Sequence, residues 1–390
     1  MKRILSLLLA LTMLMALTAC GGNSGTEDGV YRIAMISDFS GITDQSFNQT
    51  TWEACQEFSA ATGYEVKYYK PTTNDTAGRV ASAELAIADG YNIIVMPGYA
   101  FAGSMVELSV NYPDVKFIGL DMAVGDLLEA AVARNGEEYD YNPDNWNLTD
   151  YVYMDNVYCA IYQEEISGYL AGYAAVKLGY TELGFLGGMA VPAVMRYGYG
   201  FVQGADAAAT ELGITANIKY AYGSQFYGDA DLTAVMDTWY ANGTQIVFAC
   251  GGSIYTSAAE SAVKYGGKVI GVDTDQAAII DAAYGAGITV TSAMKGLGPT
   301  TIDTLTDVVV NGNWANYVGK IETLGLFSED PAANYVQLAP STQFEEGKFS
   351  ADDYAALVAA LLNGSVKVSN DTSTEPAVKT VNVTWLGNLK

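Results

Sequence analysis

From Tyr31 onward this chain repeats one pattern: a short β-rich apolar run, a segment of helical periodicity, then another apolar run. That repetition leaves few folds open, because strand–helix–strand units close as parallel sheets with right-handed crossovers. Strands are predicted at 31–36, 64–69, 93–96 and 115–120, with helices at 47–61, 77–88 and 102–110 between them. Ser46 stands where an N-cap would open the first helix. After Asp121 the pattern breaks, and 123–151 is expected to be a polar, aromatic surface insertion. The alternation then resumes, with helices at 161–178, 202–212, 232–241 and 257–265 and strands at 182–186, 214–222, 245–249 and 268–272. One further unit follows at 288–292 and 300–311. The tail is mixed, with a helix at 352–362 and a strand at 378–385. The fold class is therefore α/β, with two modules of similar size in succession.

Parallel sheets carry their ligand loops at the carboxyl ends of the strands. If the two modules face each other, those loops line one cleft that can close by hinge motion. Several strands end in residues that a buried strand would not choose: Asp38, Asp121, Asp273 and Lys295, with Gly251 after the strand at 245–249. Each Asp taken alone reads as a helix cap or turn residue. Their recurrence at the same strand end suggests a polar site, where carboxylates accept from hydroxyls and Lys295 offsets the charge. Phe47 begins a helix and Phe226 sits in a Gly-flanked loop, Gly223 to Gly228. Such aromatics are either core or, one from each module, faces for stacking a flat ring. Asn48, with a donor and an acceptor, can pair with a base edge.

The first residues read as targeting, not fold. Lys2 and Arg3 precede an apolar run from Ile4 to Leu17, too short for a bilayer-spanning helix but long enough for a signal-peptide core. The run ends in Leu17-Thr18-Ala19-Cys20, similar to a bacterial lipobox, so 1–19 is expected to be a signal peptide and Cys20 a lipidation site. Residues 20–29 are a polar, Gly-rich tether. The net charge of −25 argues against nucleic acid as a partner, since phosphate binding needs clustered Lys and Arg. The chain has no His, which removes His-based triads and most catalytic zinc sites. No metal and no cofactor is expected. Cys55, Cys159 and Cys250 lie in apolar or helical contexts and read as buried thiols, with one disulfide possible.

Six ordered blocks carry a family resemblance. They are SDFSGITDQSFN at 37–48, GYAFAGSMVELSVNYPDVKFIGLD at 98–121, 156–175 with EEISGYLAGYAA inside it, Gly187-Gly188 with GYGFVQG at 198–204, GVDTDQ at 271–276 and TSAMK at 291–295. Together they resemble the basic membrane protein family of substrate-binding lipoproteins, which includes purine nucleoside receptors. The resemblance implies a two-lobed periplasmic-binding-protein fold of class I type, each lobe a parallel sheet flanked by helices, with three crossovers at the hinge. It places the base stack on Phe47 and Phe226, base-edge contacts on Asn48 and Asp121, and the ribose and polar edge on Asp38, Asp273 and Lys295, with Gly251 allowing close backbone approach. The expected lobes are 29–155 plus 288–320, and 156–287 plus 321–390.

On this reading the chain is a lipid-anchored, monomeric binding protein on the extracytoplasmic face of a bacterial membrane. It would capture a nucleoside and pass it to an ABC transporter permease, without catalysis. Three alternatives stay open: the same fold binding a free sugar or another small polar solute, a nucleoside hydrolase using clustered Asp residues, and a receptor or adhesin with no transport role.

Overall fold

The computed structural model describes residues 31–390. The expected signal peptide, the tether and Cys20 lie outside the described residues. The chain opens with β1 (Arg32–Ile36), α1 (Phe47–Thr62), β2 (Glu65–Tyr69), α2 (Thr76–Ala88), β3 (Ile93–Pro97), α3 (Ala102–Asn111), β4 (Lys116–Leu120), α4 (Val124–Arg134) and β5 (Val157–Tyr162). It continues with α5 (Glu164–Lys177), β6 (Glu182–Gly187), α6 (Pro192–Leu212), β7 (Ala216–Tyr222), α7 (Ala230–Ala241), β8 (Ile246–Cys250), α8 (Tyr255–Tyr265), β9 (Lys268–Asp273), α9 (Ala277–Tyr284) and β10 (Thr289–Lys295). Then come α10 (Leu297–Leu305), β11 (Lys320–Leu324), β12 (Val336–Leu338), α11 (Ala351–Leu362) and β13 (Val381–Asn388).

These strands form two sheets, ordered β11-β5-β4-β3-β1-β2 and β12-β10-β9-β8-β6-β7-β13. All pairings are parallel except β10 with β12. Central strands such as β3 (IIVMP) and β8 (IVFAC) are buried along their whole length, because helices cover both faces.

Sheet membership corrects the expected lobe boundaries. Residues 157–162 are β5 of the first sheet, whereas the expected boundaries put 156–287 wholly in the second lobe. Their run VYCAIY leads into an apolar helix, so the strand end is hidden and the two read as one element. Residues 289–295 are β10 of the second sheet, not of the first lobe, because the preceding strand–helix unit folds back beside β9. Residues 320–324 return to the first sheet as β11. The chain thus crosses between lobes after β5, after β10 and after β11.

Two further expectations change. Only part of 123–151 is a surface insertion: its start is α4, whose Leu127, Leu128, Ala131 and Val132 are buried. The helix expected at 202–212 begins ten residues earlier, with Pro192 at its first turn. Gly198, Gly200 and Gly204 look like helix breakers in sequence, but Gly198 makes room for the Tyr220 and Phe185 side chains and the other two serve a helix interface. A Cβ on Gly200 would stand 2.0 Å from the Glu165 carbonyl oxygen, and one on Gly204 2.0 Å from that of Tyr169. Gly168 and Gly172 answer from α5, each with a Cβ position 2.0 Å from a carbonyl oxygen of α6. The two helices therefore touch backbone to backbone. Cys55, Cys159 and Cys250 are free and buried, as their surroundings suggested.

Candidate functional site

The carboxyl ends of both sheets converge on a cavity of about 480 Å³, within the usual range of roughly 300–1,000 Å³ for small-molecule sites. Asp38, Asp121 and Phe47 reach it from the first lobe, and Phe226, Gly251, Asp273 and Lys295 from the second. Seven of the eight residues expected at the site are thus brought together on one wall-to-wall surface.

Asn48 is the exception, and its expected base-edge role is corrected. It is 1% exposed, and its amide is spent inside the loop. Its Oδ1 accepts from the Asp38 amide at 2.9 Å, and its Nδ2 donates to Asp44 Oδ2 at 2.8 Å. It stands behind the wall and holds Asp38 in place. The N-cap reading of Ser46 also shifts. Asp44 carries the capping hydrogen bonds, accepting from the amides of Asn48 and Gln49 at 2.8 and 3.0 Å. The Ser46 hydroxyl instead donates across the cleft to Asp273 Oδ2 at 2.6 Å.

Asp121 and Asp273 occupy the left-handed region, with φ of 58° and 65°. That conformation disfavours residues bearing a Cβ, though Asp tolerates it better than most, and such residues cluster at functional sites. Between the two carboxylates sits Lys295. Its Nζ lies 2.7 Å from Asp121 Oδ2, 3.5 Å from Glu164 Oε1 and 3.6 Å from Asp273 Oδ1. It also stands 4.9 Å from the centroid of the Phe47 ring. Burial opposes its charge, but the three carboxylates outweigh burial and hold Lys295 above the ordinary lysine range. Burial alone would raise Asp121, yet the adjacent ammonium brings it below the usual carboxylate range. Asp273 goes the other way, raised by burial against the pull of Lys295 and Ser46.

Four functional groups were not read from the sequence. Glu164, at the start of α5, accepts from Arg196 Nε at 2.7 Å, and burial pushes its carboxyl up to about 8. Its Oε1 and Asp121 Oδ1 are buried without a hydrogen-bond partner. Arg196 and Tyr197 line the cavity from α6, and Asp126 lines it from α4, raised to about 6 by burial. The available signal for Arg196 was a single cation in a long, Gly-rich helix of a chain with only 19 basic residues.

Phe226 lies on a cradle of glycines. A Cβ on Gly188 would stand 2.4 Å from its ring, and one on Gly251 2.7 Å. The close approach that Gly251 permits is therefore that of Phe226, with φ of 144° at the glycine itself. Further contacts join the lobes beside the cavity. The Tyr255 hydroxyl donates to Gln45 Oε1, and Gln276 Nε2 donates to the Gln45 carbonyl at 3.3 Å.

Comparison with known proteins agrees with this architecture. The profile of the family described as "ABC transporter substrate-binding protein PnrA-like" matches residues 31–329. The chain is 26% identical over 296 residues to the "ABC transporter nucleoside-binding protein BmpA" of Lactococcus lactis subsp. cremoris, covering 70% of this chain and 74% of that protein. It is 24% identical to "Basic membrane protein B" of Borreliella afzelii, covering 80% and 83%. Among solved structures, an ABC transporter solute-binding protein from Aeropyrum pernix K1 superposes with a TM-score of 0.61 at 17% identity, covering 88% of each chain. With two parallel sheets meeting at one cleft and three crossovers between them, the chain belongs to the PnrA-like family of ABC transporter substrate-binding proteins.

Proposed function

We propose that the cleft binds a nucleoside, purine nucleosides first, and that the protein presents it to an ABC permease. The observation that carries this reading is the pairing of Phe47 and Phe226, one from each lobe, on a cavity whose floor is Asp121, Asp273 and Lys295. An aromatic face from either side suits a planar base, with stacking worth about 1–3 kcal/mol per base. The carboxylates and the ammonium suit ribose hydroxyls, which both donate and accept. The name of the Lactococcus lactis relative, a nucleoside-binding protein, supports the same choice. The site favours binding over metal-assisted hydrolysis: Lys295 already holds the place between the carboxylates that a cation would take. Cys20 is proposed as the lipid attachment point that keeps a monomeric protein on the extracytoplasmic membrane face.

Calorimetric titration of the protein with inosine, guanosine and adenosine, beside ribose and galactose, tests the ligand. Saturable heat with a purine nucleoside is expected, and Phe47→Ala is expected to weaken it more than about tenfold, or 1.4 kcal/mol. Heat with a sugar and none with any nucleoside would select the sugar-binding alternative. Release of free base during incubation would select the hydrolase.

A further inference from the structure

Phe226 sits in a loop, 223–229, between β7 and α7. Ser224 is left-handed at a φ of 61°, an unfavourable conformation for a side-chain-bearing residue. The ring rests on Gly188 and Gly251 at the edge of the second lobe's core. On the inner side, the Ser253 amide donates to the Phe226 carbonyl at 2.9 Å, the Gly223 amide to the Gly187 carbonyl at 2.8 Å, and the Asp229 amide to the Ser257 hydroxyl at 3.0 Å. Gln225 Nε2 donates within the loop, to the Tyr227 carbonyl at 2.9 Å and to Asp229 Oδ2 at 2.8 Å.

The outer side is held by a segment beyond residues 31–329 of the family match. β13 runs parallel to β7, and the Leu389 amide donates to the Tyr222 carbonyl at 2.8 Å, extending the ladder to the edge of the loop. Lys390 then touches the loop three times. Its ammonium pairs with Asp229 Oδ2, it lies 3.4 Å from Gln225 Oε1, and its main-chain oxygen accepts from the Ser224 hydroxyl at 3.3 Å. Asp229 also caps α7, accepting from the Leu232 amide at 3.0 Å. One carboxylate therefore ties loop, helix and β13 together. The strand is itself anchored. Asp206 Oδ1 accepts from the amides of Lys379, Thr380 and Val381 at 2.9, 2.7 and 3.0 Å, and Trp385 lies 4.5 Å from the Tyr220 ring.

We infer that β13 and Lys390 brace the 223–229 loop and thereby set where the Phe226 ring stands in the cleft. Lys390 is a positioning residue for the flat ring that the cleft accepts, acting through Asp229, Gln225 and Ser224 without touching the ligand. The inference rests on the reading of Phe226 as a stacking face. It adds to the family's matched region an element that tunes ring placement from outside the cleft.

The test uses the full chain with Lys390→Met and Lys390→Arg, measuring inosine titration, thermal midpoint and amide hydrogen exchange across 223–229. Lys390→Met is expected to weaken inosine binding by about three- to tenfold, chiefly through faster dissociation. Exchange across 223–229 is expected to quicken while the midpoint moves by no more than about 2 °C. Lys390→Arg restores affinity and protection, because it keeps the charge. Wild-type affinity in Lys390→Met overturns the brace, whatever its exchange. If the wild-type protein takes up no nucleoside, the nucleoside reading falls separately and exchange decides. Unchanged protection of 223–229 in Lys390→Met then overturns the brace as well.

Discussion

At the scale of single residues, the site is an excess of acid held together by two cations. Asp121, Asp273 and Glu164 converge on Lys295, and Arg196 pairs with Glu164. Of the three carboxyls, Glu164 most readily keeps its proton, because burial penalises its ionised form. A carboxyl raised from 4.5 to about 8 binds a proton in the folded state while the unfolded chain has lost it. Stability therefore falls as pH rises through that window, by about 1.4 kcal/mol per pH unit while the native group stays protonated. Asp126, raised to about 6, acts with the same sign but at lower pH. Denaturant midpoints measured from pH 6 to pH 8 are expected to decline in the wild-type protein and to flatten in Glu164→Gln. An equal slope in both would place the titration elsewhere. The polar strand ends were legible in the sequence because a charge after an apolar run stands out. Glu164 was not, because an acid in the first turn of a helix is also an ordinary partner of the helix dipole.

At the scale of elements, the parallel sheets were legible because strands covered on both faces must be apolar from end to end. Boundaries failed where that signal ran on unchanged from strand to helix, as at Tyr162, or where glycine carried two meanings. In α6 the glycines cost helix propensity, which made the first half of the helix invisible, yet Gly200 and Gly204 permit backbone-to-backbone contact with α5. That contact carries Arg196 and Tyr197 on a rigid backbone above Glu164. Gly200→Ala would set a methyl 2.0 Å from a backbone oxygen with no flexible neighbour to yield. Despite the better helix propensity of Ala, the substitution is expected to destabilise by about 3 kcal/mol or more, the upper range for overpacking. Chemical denaturation measures it, and a midpoint equal to that of the wild type would mean the helices can part without loss. The short β11 and β12, half-exposed or only three residues long, left too little apolar pattern to read.

At the scale of the whole molecule, two lobes are joined by three chain crossings and by side chains that meet across the cleft. Gln45, itself left-handed at a φ of 57°, is gripped by Tyr255 and Gln276 of the opposite lobe. These bonds form only while the lobes are together, so they hold the closed state without contacting a ligand. Removing the Tyr255 hydroxyl costs about 1 kcal/mol of that closure, near the usual net value of a hydrogen bond. Tyr255→Phe is therefore expected to release a bound nucleoside about fivefold faster with unchanged association, as stopped-flow measurement would show. An unaltered release rate would mean that other contacts govern opening. Among the described residues no helix is long and apolar enough to cross a membrane, so the described part of the chain offers no helical span.

The three crossings also set an order of assembly. The first sheet is not finished when β1 to β5 have been made: β5 gains its outer neighbour only when β11 arrives, after β6 to β10 of the second sheet have been laid down. A newly made chain must therefore carry an open strand edge for more than a hundred and fifty residues of synthesis, roughly the size of an average domain. Contacts so distant in sequence close slowly. Until residues 320–324 dock against that edge, its unpaired N–H and C=O groups stand open to any other strand.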